Sequence, residues 1–201
     1  MNIRETDQWA QLLCNVSKDI DTLISGNGHH SVRVAYWVES IARKLNMCED
    51  DIQILYWASL LHDIGKVALP REILRKKGPL SQGEWTYMEL HPTIGANLVR
   101  ATDTVSPVAT IVHAHQEKYN GKGYPYGLKG DDIPLGARIL TVVDAYDAMT
   151  DNRPYRKPLS HEEAIAELNR NRGKHFDPAI VDTFYEVLDA RVSHKLVPLL
   201  N

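Results

Sequence analysis

Apolar residues recur at spacings of three and four over Val32–Ile41, Ile52–Leu61 and Ala137–Met149, the period of one helix face, whereas alternating runs that would build half-buried strands are short and few. The pattern predicts an all-α fold. Start signals agree with it: Ser81-Gln-Gly-Glu84 and Ser160-His-Glu-Glu163 are capping-box patterns, and Asp177 followed by Pro178 is an N-cap with proline at the first helical position. Helices are expected at about 6–24, 30–46, 50–63, 81–89, 91–101, 105–115, 134–149, 160–171 and 177–189, the first of them broken near Lys18-Asp19. The longest irregular stretches are 64–80 and 116–133, the second rich in Gly and Lys. Loops of that length in a compact domain are often functional. Without an internal repeat, a low-complexity tract or linker composition, the chain reads as one domain over 1–201, with an N-terminal helical segment at 1–25, a core at 26–190 and a tail at 191–201.

Composition narrows the function only by exclusion. A chain of 201 residues can bury a core without staples, and 43% hydrophobic with 24% charged residues is ordinary for a globular protein. Lys and Arg number 23 against 26 Asp and Glu, a net charge of −3, which argues against general nucleic-acid binding through a basic surface. Cys14 and Cys48 lie far apart with no metal or redox spacing. The polar start and the lack of any run near the roughly 18 apolar residues needed to span a bilayer point to a cytoplasmic protein with no membrane contact. Nine histidines change the picture, because imidazole is the commonest metal ligand.

The most specific signal is His62-Asp63-Ile64-Gly65-Lys66, placed just after the apolar run Ile52–Leu61. Neighbours on a helix point roughly 100° apart, so His62 and Asp63 cannot chelate one ion as an i, i+4 pair does, but at a helix end they can fan around a metal pair. Gly65 lets the chain leave the helix, and Lys66 returns a cation to the same place. Further candidates come once per helix: His30 with Arg33 one turn later, His91 before Pro92, His113 and His115, and Asp144 with Asp147. Metal sites in bundles are built this way, from side chains projecting inward from several helices. Asp144 lies inside the apolar run Ile139–Met149, where a carboxylate is costly unless a metal or cation compensates it; Asp147 lies one turn on and could orient a ligand or a substrate. Arg33 reads as an ion-pair partner, His161, His175 and His194 as surface residues. Trp9, Trp37, Trp57 and Trp85 read as core or helix-packing aromatics.

Seven segments in order carry a resemblance: His30-Ser-Val-Arg-Val34, His62-Asp-Ile-Gly-Lys66, His91-Pro-Thr-Ile-Gly95, His115-Gln-Glu-Lys-Tyr-Asn-Gly-Lys-Gly-Tyr-Pro125, Asp144-Ala-Tyr-Asp147, Arg153-Pro-Tyr-Arg156 and Phe176-Asp177-Pro178. From about His30 to Phe184 the chain resembles the HD-GYP family, the phosphodiesterase branch of the HD superfamily. The resemblance implies an HD-domain helical bundle with additional C-terminal helices. It also implies hydrolysis of a cyclic dinucleotide, cyclic di-GMP foremost, to a linear dinucleotide and on to GMP. The implied ligands are His30, His62, Asp63, His91, His115 and Asp144, holding two divalent transition-metal ions, iron or manganese first, with nickel, cobalt or zinc compatible with the same donors. Asp63 is the implied bridge and Lys66 the implied acid at the leaving oxygen. Tyr124, Arg153 and Arg156 resemble the elements that hold the substrate's phosphates and bases. GGDEF-domain proteins are partners that the family suggests.

Two positions depart from the family pattern. Gln116 stands where a second consecutive histidine is usual, and an amide oxygen is a weak ligand beside imidazole. His113 could replace it if the helix end turns it inward. Members with a third metal carry a Glu four residues before the first histidine, where this chain has Gly26, so two ions are expected rather than three. Two alternatives stay open: a degenerate domain that binds a cyclic dinucleotide or a signalling partner without turnover, and a generic HD nucleotide phosphohydrolase.

Overall fold

The computed structural model describes residues 3–25, 28–101, 106–151 and 157–195, and the side chains of 11–24, 28–101, 107–151 and 157–190 among them. Among the described residues it is all helical: α1 (Ile3–Ser25), α2 (His30–Lys44), α3 (Glu49–Leu61), α4 (Arg71–Leu74), α5 (Gln82–Met88), α6 (His91–Arg100), α7 (Ser106–Ala114), α8 (Leu135–Thr150), α9 (His161–Arg170) and α10 (Pro178–Lys195), with no strand and two 3-10 turns at Ile64–Ala68 and Gly130–Asp132. Each expected helix is present. The expected break in the first is not: α1 runs unbroken because Lys18 and Asp19 lie on its exposed face while Ser17, Ile20 and Asp21 are buried. Patterning also missed α4, whose four residues are too few to show a period.

The core forms where the apolar stripes of α2, α3, α6, α7 and α8 meet. Val34, Val38, Ile41, Leu55, Val99, Val112, Leu140 and Val143 are almost completely buried there, and each contributes roughly 1.5–3 kcal/mol of transfer free energy. The C-terminal helices close this bundle on one side, α9 against α8 and α10 against α2 and α8, through Leu168, Val181 and Phe184. Both capping boxes form, at Ser81 and Ser160. Asp177 accepts from the Ala179 amide at 2.9 Å and pairs with Arg138 at 2.8 Å, so it caps α10 and ties it to α8.

Between α3 and α4 the chain crosses α6 at very close range. A Cβ on Gly65 would lie 1.9 Å from the His91 carbonyl oxygen and 2.6 Å from the Gly95 amide nitrogen, and a Cβ on Gly95 would meet the Gly65 nitrogen at 3.2 Å. Gly65 does not adopt a positive φ. The chain leaves α3 here as expected, and what demands glycine at this point is close backbone approach. This contact sets the distance between Asp63 and His91.

Gly65→Ala is expected to lower stability by about 3 kcal/mol, a fall of roughly 6–12 °C in melting temperature, because rigid backbone rather than a flexible side chain must yield. Gly83→Ala, where an added Cβ meets nothing within 4 Å, serves as the comparison and is expected to melt at or above the parent temperature. Thermal melts of both variants check this; an unchanged value for Gly65→Ala would show that the crossing accommodates a methyl group.

Candidate metal centre

Three histidines are fixed by one device. His62 is the C-cap of α3, His91 follows α5 and opens α6, and His115 follows α7. Each Nδ1 sits against the carbonyl oxygen three residues back: Ser59 at 2.8 Å, Met88 at 2.7 Å and Val112 at 2.7 Å. A carbonyl can only accept, so Nδ1 carries the proton and Nε2 presents a bare lone pair. The carbonyls used are orphans of helix C-terminal turns, so the bond that orients each ring also satisfies the helix end.

The lone pairs converge on Asp63. Its Oδ1 lies 3.5 Å from His91 Nε2 and 3.9 Å from His115 Nε2, and its Oδ2 lies 3.6 Å from His62 Nε2 and 2.6 Å from Lys66 Nζ. Across the cleft, Asp144 Oδ1 is 3.8 Å from His62 Nε2 and 3.2 Å from His30 Nε2. Two donor triads result, His30 with His62 and Asp144, and Asp63 with His91 and His115, each with its ligand atoms within 4.8 Å of one another. His30 lies buried at the start of α2, while its neighbour His29 is exposed. A cleft of about 150 Å³ opens on the site between Asp21, His30, Asp63, Lys66 and Asp144.

Electrostatics follow from burial and charge. Burial pushes His91 down to about 4 and His115 down to about 3, so both are neutral near pH 7. Burial alone would raise Asp63, yet the Lys66 ammonium beside it, with the surrounding histidines, holds its carboxyl well below the usual range. At His30 burial opposes protonation, but hydrogen bonds to Asp144 and Asp147 outweigh it and lift the imidazole to about 10. Burial likewise works against the Asp144 anion and loses to the His30 hydrogen bond.

The remaining sequence candidates divide. Asp147 is buried behind His30, 2.7 Å from its Nδ1, and takes the Arg33 guanidinium in a fork at 2.7 and 2.9 Å; Arg33 also reaches Asp151 at 2.8 Å. That place suits orienting a ligand. Arg33 is the ion-pair partner that its position one turn after His30 suggested. Tyr124 faces the site, its ring 6.4 Å from His91, with burial and then Asp63 raising its phenol above the ordinary range. His113 does not turn inward: its Nε2 is 3.1 Å from Thr93 Oγ1 and its Nδ1 3.3 Å from the Tyr126 hydroxyl. It therefore does not replace the imidazole missing at Gln116, whose side chain is half-buried beside His115. Arg153, Arg156 and Gly26, and the side chains of Trp9 and His194, lie outside the described residues. His161 and His175 are half-buried rather than on the surface, the first against the Tyr146 hydroxyl at 2.8 Å and the second stacked on Phe176. Trp37 and Trp57 pack on the core as expected, but Trp85 is exposed.

Sequence reasoning missed two residues. Asp21 of α1 accepts from the Ser31 amide at 2.8 Å and hydroxyl at 3.1 Å, capping α2 and so seating His30. Buried Glu117 takes three amides of the long loop, from Tyr126, Gly127 and Leu128 at 2.8, 3.2 and 3.0 Å, and so anchors the segment that carries Tyr124. Capping across 10 residues and loop anchoring leave no periodic trace, although Glu117 lies two residues after His115.

The residues fit a divalent cation. Among the described residues, the buried His62 Nε2 and Asp63 Oδ1 have no hydrogen-bond partner, and such orphans are rare in folded proteins. His91 Nε2 and His115 Nε2 stand 3.2 Å apart with bare lone pairs facing, an arrangement that repels unless a cation shares them. Imidazole and carboxylate together are a transition-metal donor set.

Comparison with known proteins accords with this geometry. The family model described as HD domain matches residues 16–180, and HD-domain phosphohydrolases are metal-dependent. The chain is 36% identical over 191 residues to 3'3'-cGAMP-specific phosphodiesterase 2 of Vibrio cholerae, covering 94% of this chain and 36% of that protein. It is 36% identical over 174 residues to the cyclic di-GMP phosphodiesterase response regulator RpfG of Xanthomonas campestris, covering 86% of this chain and 46% of that one. The chain thus spans less than half the length of these curated relatives. Among solved structures, a cyclic GMP-AMP specific phosphodiesterase of V. cholerae superposes with a TM-score of 0.72 at 20% identity, over 94% of this chain and 51% of that one. An HDG"Y"P protein of Bdellovibrio bacteriovorus superposes at 0.66 with 23% identity, over 92% of this chain and 62% of that one, which shows the same fold. The chain belongs to the HD domain family.

Proposed function

We propose that this chain is a metal-dependent phosphodiesterase that opens a cyclic dinucleotide, cyclic di-GMP foremost, to a linear dinucleotide and then to GMP. The observation that carries the reading is Asp63, a buried carboxylate that belongs to one donor triad through the oxygen turned to His91 and His115 and borders the other through the oxygen turned to His62 and Lys66. The relatives' names, cyclic di-GMP and 3'3'-cGAMP phosphodiesterases, supply the substrate class. Residues 26–190 form the functional core in this reading, the domain works in the cytoplasm, and GGDEF-domain proteins are its partners.

His30, His62 and Asp144 would hold one ion and His91 and His115 the other, with Asp63 between them; iron or manganese suits these donors best. Divalent cations there would supply Lewis-acid polarisation of the phosphodiester and neutralise its charge. The protein's own groups do the rest. Water gives up a proton to solvent as it adds to phosphorus, the P–O bond to the leaving ribose oxygen breaks, and Lys66, at the cleft, provides the proton or hydrogen bond that this oxygen needs and is reprotonated from solvent. Asp147 and Arg33 hold the His30 ring against rotation. Tyr124 keeps its phenolic proton and can donate to a phosphate oxygen. Arg153 and Arg156 are proposed to grip the remaining phosphate.

Gln116 favours the binding-only alternative, since it removes a donor that the family usually has. Against it, each triad is complete without position 116.

The test is turnover by purified protein. Wild type reconstituted anaerobically with iron or manganese is expected to produce linear dinucleotide from cyclic di-GMP or 3'3'-cGAMP; no product with any divalent metal would leave the binding-only reading standing. Asp63→Ala is expected to lose most of its transition metal on elemental analysis while its far-ultraviolet helical signal stays. Retention of two ions would remove Asp63 as the shared ligand. Lys66→Ala should keep its metal and lose about a hundredfold or more in kcat; unchanged turnover at saturating substrate would refute its role at the leaving oxygen. Gln116→His is expected to raise turnover at limiting metal, because imidazole binds first-row ions better than an amide oxygen does. Identical metal titrations for Gln116→His and wild type would show that position 116 is outside the ligand set.

A further inference from the structure

Helix α5 is held in an unusual way. None of its residues is buried, yet its ends are secured by a complete capping box at Ser81 and Glu84 and by an ion pair from Lys76 Nζ to Glu84 at 2.5 Å. Its C-terminal turn is closed by the Met88 carbonyl on the His91 ring, so α5 is attached directly to a residue of the candidate metal centre. A helix fixed by caps rather than core burial still presents large rings to solvent: Trp85 is 42% and Tyr87 54% exposed. Trp85 is the exposed ring that touches the site. Its indole meets Tyr124 edge to face at 6.4 Å, Tyr124 meets His91 at 6.4 Å, and His91 meets His115 at 5.1 Å. A continuous row of rings thus leads from the triad containing Asp63 to open solvent, and the indole is its outer end.

We propose that Trp85, backed by Tyr124, is the stacking surface for one nucleobase of the cyclic dinucleotide whose phosphodiester lies at Asp63; the inference rests on the function proposed above. A cyclic dinucleotide carries a base on each side of its phosphate ring, so with a phosphate at the metal centre the bases extend outward from Asp63, the direction that the row of rings through Tyr124 to Trp85 follows. Indole offers the largest aromatic face among side chains, and base stacking needs a planar face rather than matched donors. Edge contact with Tyr124 holds the indole upright while leaving ring area open, and the caps of α5 fix the platform before the ligand arrives, which lowers the ordering cost of binding. Trp85 therefore sets affinity for the base and takes no part in bond cleavage.

The experiment compares wild type, Trp85→Ala and Trp85→Phe in the full chain, with calorimetric binding of cyclic di-GMP and steady-state hydrolysis of the same compound read side by side. Trp85→Ala is expected to raise both Kd and KM about tenfold, the usual scale for loss of one stacked base, with kcat within about twofold of wild type, and Trp85→Phe is expected to recover most of the affinity. Unchanged Kd, a fall in kcat without a change in KM, or a phenylalanine variant as weak as the alanine one would each overturn the assignment. The two readings fail separately: binding without turnover by wild type sinks the proposed hydrolysis while the Kd comparison still decides Trp85. A wild type that neither binds nor cleaves cyclic di-GMP or 3'3'-cGAMP overturns both.

Discussion

The site depends on a bond between an imidazole N–H and the last turn of a helix. At His62, His91 and His115 the Nδ1 proton is given to a carbonyl that the helix leaves unpaired, and the opposite nitrogen is thereby turned inward as an acceptor. The carbonyl ends of α3, α5 and α7 each direct partial negative charge at one of the three rings. Nitrogen lone pairs, a buried carboxylate and converging carbonyl ends all favour a cation, and the buried His62 Nε2 and Asp63 Oδ1 have no hydrogen-bond partner among the described residues.

Close backbone packing makes that convergence rigid. Gly65 and Gly95 allow the turn after α3 to lie against α6 with no side chain between them, so Asp63 and His91 are held at a spacing that rotamer changes cannot alter. On the other side, His30 is seated by Asp21 through the Ser31 amide and braced by Asp147, which Arg33 anchors in turn. Each group at the centre is thus positioned by a neighbour whose own polar atoms are satisfied, the condition under which a buried polar network orders a site rather than weakening it.

The outer wall is built differently. Glu117 gathers the amides of a long loop around one buried carboxylate, which places Tyr124 beside His91, and α5 stands over the same edge on its caps, the Lys76 ion pair and the Trp85–Tyr124 ring contact rather than on core burial. The inner site is consequently a product of core packing, while the rim is a product of local hydrogen bonds and ring contacts. Substitutions at the rim can therefore change what binds without loosening the bundle.

Much of this was legible in the sequence because its causes are periodic or local. Helical stripes announce the all-α fold, capping boxes act within four residues, and a carboxylate inside the apolar run of α8 marks Asp144 as compensated. His62, Asp63 and Lys66 adjoin one another, so their shared site needed no knowledge of the fold. What tertiary structure decided is everything that depends on direction across helices. It turned His113 toward Thr93 and Tyr126 and away from the centre, although it is only two residues from His115, because rings two positions apart on a helix face different ways. It left Trp85 in solvent although Trp37 and Trp57, in similar helical runs, pack on the core; a helix of seven residues is too short for its pattern to say which side is covered. Gly65 stands where the chain leaves α3, as its position suggested, but that it is also a backbone crossing shows only in the tertiary structure, since the first turns of α6, His91 to Gly95, reveal what a side chain there would strike. Sequence determined which groups are available and in what order; packing determined which of them meet, because distance between helices is set by side chains and glycines that lie far apart along the chain.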